Sequence, residues 1–355
     1  MRVQFQSVTA AVVVSLAGSA QAQITVDPFY AANYSVVGLG SVPGVPPSYG
    51  GVEISPAATG TLLISGGANG GSGAIYAIQL VRDGTNQIVG FSGTATQVST
   101  APFNDGGLDY GPLNILFFTT YSNNTIGQIK PGSTTPDRII SMTELGVGPS
   151  TGTLAFVPSG FPGEGRLKVA SYSQGFWYDV PFAFDPPTGT FNLQQASTGI
   201  QIGGGPEGIV FVPPTSPQFT TRSILVSEYG TGRVVSYEID SNGDPIVATR
   251  RVFISGLSGA EGATLDPVTG QFIFSTFGGG SQVVIVRGFA PPPACYVNCD
   301  NSTTPPVANI ADFTCFASRF ASGDTYANCD GSTVPPVLNV ADFICFLNRY
   351  AAGCS

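Results

Sequence analysis

The chain of 355 residues contains no histidine. That removes the commonest general base, the usual nucleophile–base pair and every His-ligated metal site. Positive charge is nearly as scarce. Thirteen Lys and Arg, of which only Lys130 and Lys168 are lysines, stand against 22 acidic residues, for a net charge of −9. An acidic chain without a basic cluster is a poor partner for phosphate backbones or anionic lipid, so nucleic-acid binding is not expected. Charged residues make up only 10% of the chain, against roughly 25% in ordinary soluble domains. Beyond the N-terminus no stretch reaches the length of a membrane-spanning helix, so no membrane insertion is expected. Cysteine is missing until position 295, and all six lie between Cys295 and Cys354.

The first 22 residues read as an export signal. Arg2 precedes an apolar run from Val8 to Ala17, and Ala20-Gln21-Ala22 gives a small-x-small cleavage pattern. Six cysteines also call for an oxidising compartment. The mature protein is therefore expected to start near Gln23 and to be secreted or held at a bacterial cell surface.

Glycine (47) and proline (28) are abundant, while 42% of residues are hydrophobic and 11% aromatic. Together they indicate an all-β fold with many tight turns rather than disorder. Residues 23–290 repeat one pattern five times, at 34–81, 88–129, 138–182, 190–239 and 250–286. Each copy is an apolar strand, a Gly-rich step, a strand ending near Pro, a third strand, a small-residue turn and a fourth strand. The anchoring prolines are Pro56, Pro112, Pro158, Pro213 and Pro267. Repeats of this length with four short strands each are the signature of propeller blades. Each copy begins with the strand that would be outermost in the preceding blade. Tyr34–Leu39 is therefore expected to pair with the blade ending near Val286 and close a five-bladed ring. Six blades is the alternative, with Val26–Tyr34 forming a degenerate blade.

Segments such as ILVSEYGTGRVVSYEID (224–240) resemble NHL and gluconolactonase-like propellers. Carboxylates recur in the Gly-rich steps: Glu53 and Asp109 three residues before their prolines, Glu207 and Glu261 six before theirs. These strands should be innermost, so the four are expected to approach the central axis and to recruit a cation, with Ca²⁺ the natural oxygen-ligated choice. Gluconolactonase-like propellers hold a divalent metal at the axis with an acidic and amide set; the amide and basic partners have no match here, and lactonase activity does not carry over on this pattern. Tyr121, Tyr172, Trp177, Tyr178 and Tyr229 near the turns form either a ligand-binding rim or packing between blades.

Pro291-Pro292-Pro293 opens a stiff linker at 291–294, followed by a tail at 295–355. YVNCDNSTTPPVANIADFTCFASRFASG (296–323) lies over YANCDGSTVPPVLNVADFICFLNRYAAG (326–353) with every match thirty residues apart. Each copy is a polar loop leading into a helix. The helices are expected to bury Ile310, Phe313, Phe316, Ala317 and Phe320, and Val340, Phe343, Phe346, Leu347 and Tyr350. Six cysteines allow fifteen pairings. The duplication favours Cys299–Cys315 and Cys329–Cys345 as one bridge made twice, leaving Cys295–Cys354 to clasp the module. The cysteine spacings do not suit zinc.

Tandem N-C-D-G/N loops feeding A-D-F-x-C-F helices resemble a dockerin of the cysteine-containing type over 295–355. The resemblance implies attachment to a cohesin-like partner, and Ca²⁺ ligands at Asn298, Asp300 and Asp312 in one loop and Asn328, Asp330 and Asp342 in the other. Tyr296 and Tyr326 stand where dockerins begin the loop with Asp, which leaves three side-chain ligands per loop for an ion that takes six to eight oxygens. The expected function is a non-catalytic exported propeller that binds an unidentified ligand and is anchored by its tail. The alternative is a metal-dependent lactonase or glycan-active hydrolase on the same anchor.

Overall fold

The computed structural model describes residues 23–290, 296–300, 302, 308–332 and 335–352. The proposed leader, the linker at 291–294 and the Cys295–Cys354 bridge fall outside these residues.

Two short strands come first, β1 (Thr25–Val26) and β2 (Ser35–Gly40). Blade 1 is β3 (Val52–Ile54), β4 (Thr61–Gly66), β5 (Ala74–Arg82) and β6 (Ile88–Thr100). Blade 2 is β7 (Asn104–Tyr110), β8 (Leu116–Thr120), β9 (Thr125–Ile129) and β10 (Arg138–Ser141). Blade 3 starts with β11 (Thr151–Phe156), β12 (Leu167–Ser171) and β13 (Phe176–Val180). A separate hairpin of β14 (Phe182–Asp185) and β15 (Thr190–Leu193) follows, before β16 (Ile200–Gln201) completes the blade. Blade 4 is β17 (Pro206–Phe211), β18 (Ser223–Glu228), β19 (Arg233–Glu238) and β20 (Arg251–Ser255). Blade 5 has β21 (Ala260–Leu265), β22 (Phe272–Thr276) and β23 (Val283–Arg287).

The ring closes where the sequence phase places it. β2 completes blade 5 by pairing antiparallel with β23, Val36 opposite Val286 and Val37 opposite Ile285. The two ends of the domain thus share one sheet, and neither is left as an open edge. Val26–Tyr34 builds no sixth blade. β1 adds to the edge of blade 4, with Val26 opposite Ile254, and a hydrogen-bonded turn from Asp27 brings Tyr30 and Tyr34 inward. Two phenol rings outweigh another strand here: both pack edge-on to Phe253, and the Tyr34 hydroxyl donates to the Pro217 carbonyl at 2.6 Å.

The core is five layers, one between each pair of neighbouring blades. Strand alternation builds them. In β4, Leu62 and Ile64 face blade 5 while Leu63 faces blade 2. In β8, Phe117 faces blade 3 while Leu116 and Phe118 face blade 1. In β22, Phe272 and Phe274 face blade 4 and Ile273 faces blade 1. Strands covered on both faces carry unbroken apolar runs, which is why ILFF and QFIF in the sequence lack the polar alternation of a half-exposed sheet.

In the tail, α1 (Ile310–Ala321) and α2 (Val340–Ala352) stack Phe316 on Phe346 with ring centroids 4.1 Å apart. Cys299–Cys315 and Cys329–Cys345 are bridged as the duplication indicates, with Cα separations of 5.8 and 5.7 Å. The buried faces are narrower than expected. Ile310, Val340 and Leu347 are 76, 72 and 48% exposed, because the two Phe pairs and the loop residues Val297 and Ala327 already fill so small a core. Tyr296 and Tyr326, the residues standing in the first loop slots, stack 4.8 Å apart, and each hydroxyl donates to the other's carbonyl.

Candidate functional site

The innermost strands β3, β7, β11, β17 and β21 lie side by side around the axis. Three of them open on an acid followed by glycine: Asp105-Gly106, Glu207-Gly208 and Glu261-Gly262. The glycines let the inner strands touch. A Cβ on Gly106 would collide with the Glu207 carbonyl, and one on Gly262 with the Gly51 backbone. With the backbones this close, the neighbouring acids converge. Asp105, Glu207 and Glu261 each place a carboxylate oxygen within 4.8 Å of the others', and the residues are only 2, 2 and 1% exposed.

Asp105 Oδ2, Glu207 Oε2 and Glu261 Oε2 have no hydrogen-bond partner, nor does the buried amide oxygen of neighbouring Asn104. None of the ion pairs among the described residues involves the triad. Burial is the main cause that pushes all three carboxyls well above the usual range. Repulsion from Asp105 adds to this for Glu207 and Glu261, and Glu261 also repels Glu207. The Gly106 N–H pulls the other way on Asp105 and Glu207.

Over the triad runs an arc of rings, each the residue that follows the second strand of its blade: Tyr121, Tyr172, Tyr229 and Phe277. Neighbouring centroids are 6.2, 5.8 and 6.0 Å apart in edge-to-face contacts. Blade 1 puts Gly67 at the equivalent place, two residues before Asn69, whose side-chain oxygen is also unpartnered. Tyr172 and Tyr229 are half-buried, and their hydroxyls are held above the ordinary phenol range by desolvation and then by the triad's charge. The aromatics singled out in the sequence separate into two sets. Tyr121, Tyr172 and Tyr229 form the rim, whereas Trp177 and Tyr178 are buried between blades.

Of the four carboxylates expected at the axis, the structure brings together Glu207 and Glu261. Glu53, in the middle of β3, and Asp109, near the end of β7, act as clamps between blades. Glu53 Oε2 accepts from Thr264 Oγ1 at 3.1 Å, and Asp109 Oδ2 accepts from the Phe156 N–H at 2.7 Å. They line a cavity of about 340 Å³, closed on one side by Tyr296, Val297 and Arg349 of the tail. Counting from the prolines misses Asp105, because between Asn104 and Leu108 the β7–β8 register shifts by two residues, where β17 and β21 shift by one. The acid-Gly start shared by three inner strands is the signal that finds it. The aromatic-after-second-strand position does the same for Phe277.

Burial raises the Asp109 carboxyl to about 7 and lifts Glu53 well above its usual value, helped by repulsion from Asp109. A carboxyl that holds its proton more tightly when folded makes the native state bind more protons than the unfolded one. Stability therefore falls as pH rises from about 4, the unfolded value, to about 7. Asp109→Asn is expected to flatten that fall. Urea titrations at pH 5 and 7.5 check it, and an unchanged difference between the two pH values counts against the assignment.

In the tail loops, the expected ligands are engaged with the chain. Asp312 accepts from the N–H groups of Asp300 and Asn309, and Asp342 from those of Asp330 and Asn339. Asp300 and Asp330 accept from Ser302 and Ser332. The Asn298 and Asn328 side chains donate to the carbonyls of the same serines, while their own oxygens stay unpartnered.

No protein-family model matches the chain, and no curated protein is significantly similar to it. Solved structures do resemble it. An auxiliary nutrient binding protein from Bacteroides ovatus is 10% identical, with 72% of this chain and 76% of that one covered and a TM-score of 0.40. The PQQ domain of a pyranose dehydrogenase from Coprinopsis cinerea is 10% identical, covering 76% and 98% with a TM-score of 0.43. A putative gluconolactonase is 13% identical, covering 74% and 83% with a TM-score of 0.39. The β-propeller assignment rests on the blades and their closure described above.

Proposed function

We propose that the protein is an exported ligand-binding propeller, centred on a divalent cation at Asp105, Glu207 and Glu261 and tethered outside the cell through its tail. The observation that carries this reading is the convergence of three buried, unpartnered carboxylate oxygens. Such a cluster is costly without a counter-charge. A spread of 4.8 Å matches the width of a Ca²⁺ shell, with oxygens 2.3–2.6 Å from the ion. All the donors are hard oxygens, and Asn104 supplies a further unpartnered one beside Asp105. Calcium at this site would supply a Lewis-acidic, positively charged anchor for ligand oxygens.

The tail supports attachment through its two disulfide-stapled loop–helix units, which fit the dockerin resemblance and a cohesin-like partner. Calcium in its loops would compete with the backbone N–H groups that Asp312 and Asp342 now accept. We assign the ordering of the tail mainly to its disulfides, each worth about 2–4 kcal/mol.

The same convergence favours metal-dependent hydrolysis as a second reading. Glycoside hydrolysis between two carboxylates fits poorly, since it needs about 5–9.5 Å between them and room for a sugar ring. Lactone or aryl-ester turnover that requires Ca²⁺ would establish the enzyme reading.

Terbium luminescence excited through tyrosine tests the cation site, because Tyr172 and Tyr229 stand beside the triad. The expected result is one sensitised Tb³⁺ per chain, displaced by Ca²⁺ and lost in Glu261→Gln but kept in Asp300→Asn/Asp330→Asn. Absence of a sensitised signal, or its loss only in the tail variant, would overturn the assignment.

A further inference from the structure

We propose that the cavity between the propeller and the tail binds a small zwitterion with an apolar body, its ammonium on Glu53 and Asp109 and its carboxylate on Arg349. This site is separate from the triad and does not depend on a cation there.

The walls set the size and the apolar body. Four of the five repeat prolines, Pro112, Pro158, Pro213 and Pro267, line the cavity, each two residues beyond the end of its inner strand. Proline brings no N–H, so this collar is apolar and donates nothing. On the other side α2 lies against the turn at Pro112–Asn114, which seats the tail on the propeller. A volume of about 340 Å³ falls at the small end of ligand pockets, roughly 300–1,000 Å³.

Two acids face the cavity from the propeller, and both keep accessible surface. Glu53 accepts from the Ile54 N–H and the Thr264 hydroxyl, and Asp109 from the Phe156 N–H. An ionised carboxylate has about four acceptor sites, so both have room for further donors. Neither takes part in the ion pairs among the described residues. Burial favours their protonated forms; an ammonium within reach favours the charged forms instead.

Among the described lining residues Arg349 is the only base, and its repeat counterpart shows what it lacks. Arg319 lies over Tyr326, 4.7 Å from the ring centroid, and pairs with Asp324 at 3.2 Å. Arg349 lies over Tyr296 in the same way, at 5.1 Å, but the position thirty residues after Asp324 is Cys354. The second copy keeps the ring and loses the acid, and Arg349 enters none of the ion pairs among the described residues. A guanidinium fork without an acid, at the edge of a cavity, suits a carboxylate. Arg349 and the two acids do not pair with each other, so a ligand carrying both charges satisfies both walls. A singly charged ligand leaves one wall without a partner.

The test is calorimetric titration of the full chain in metal-free buffer near neutral pH. Leucine, phenylalanine and 6-aminohexanoate are compared with hexylamine, which keeps only the ammonium, and hexanoate, which keeps only the carboxylate. At least one zwitterion is expected to bind at least about tenfold tighter than either single-charge probe. Arg349→Gln is expected to weaken that zwitterion at least about tenfold without weakening hexylamine, and Glu53→Gln to weaken it without weakening hexanoate. A misfolded variant would lose every probe together with its cooperative melt, so the crossed pattern reports on charge. Should Glu53→Gln unfold, Arg349→Gln alone decides. The proposal is overturned if no zwitterion binds, if hexylamine or hexanoate binds as tightly, or if Arg349→Gln leaves the zwitterion unaffected. None of these results bears on the triad, which Tb³⁺ reads separately.

Discussion

Glu207→Gln/Glu261→Gln protein is expected to melt higher than the wild type in chelator, and to gain nothing from Ca²⁺. Wild-type protein without a cation must either crowd negative charge into a site with 1–2% exposure or hold protons there. Neutral amides of the same shape remove that conflict. Replacing buried ionic groups by uncharged residues of similar volume stabilises by up to about 4 kcal/mol, or up to roughly 10 °C for a domain of this size. Ca²⁺ at a thousand times its Kd closes or reverses the gap, since the ion stabilises only the protein that binds it, by about 4.1 kcal/mol. The pH dependence agrees in sign. These carboxyls hold their protons more tightly when folded, so wild-type stability in chelator falls as pH rises above the unfolded value, and added Ca²⁺ opposes the fall. Thermal melts of both proteins with chelator and with Ca²⁺ decide the matter. A double variant less stable than wild type in chelator would show that the carboxyls are internal braces rather than a cation site.

The second large effect is expected at Lys168, which has no exposed surface and joins blades 3 and 4. Its Nζ lies 2.7 Å from Asp244 Oδ1 and 3.7 Å from Asp179 Oδ2, and the Trp177 indole N–H donates to the same Asp244 oxygen at 2.8 Å. Asp244→Ala leaves a buried ammonium with only the longer contact and an indole N–H without a partner. Breaking a buried pair from one side costs about 3–5 kcal/mol, so a fall of roughly 10 °C is expected. Lys168→Met should cost less, because Asp244 is partly exposed and keeps Trp177. Lys168→Met/Asp244→Asn should recover much of the loss, since no charge is left uncompensated. Equal losses in all three variants would show that packing rather than charge holds this joint.

The blades were legible in the sequence because a blade is a local unit. Four strands joined by short turns leave their period in the chain, and Tyr34–Leu39 standing ahead of the first full unit implied the closing strand. The disulfides Cys299–Cys315 and Cys329–Cys345 followed from the duplication, since two copies of one fold make the same bridge. Val26–Tyr34 was harder to place, because the burial of Tyr30 and Tyr34 against Phe253 and Phe289 depends on residues more than two hundred positions away.

The triad marks the boundary between the two kinds of information. The sequence by itself determined that acids recur in the Gly-rich steps, that no histidine accompanies them, and that glycine follows three of them. Which acids meet was decided only in three dimensions. Each of the three acids follows the residue paired with the end of its second strand, Asn104 with Thr120, Pro206 with Glu228 and Ala260 with Thr276, so a shared register sets which side chains meet. Asp105, Glu207 and Glu261 therefore meet, while Asp109 and Glu53, farther along their strands, turn to the Phe156 N–H and to Thr264. Composition and period are properties of the chain, but the convergence of three charges from blades 2, 4 and 5 requires the closed ring that brings those strands together.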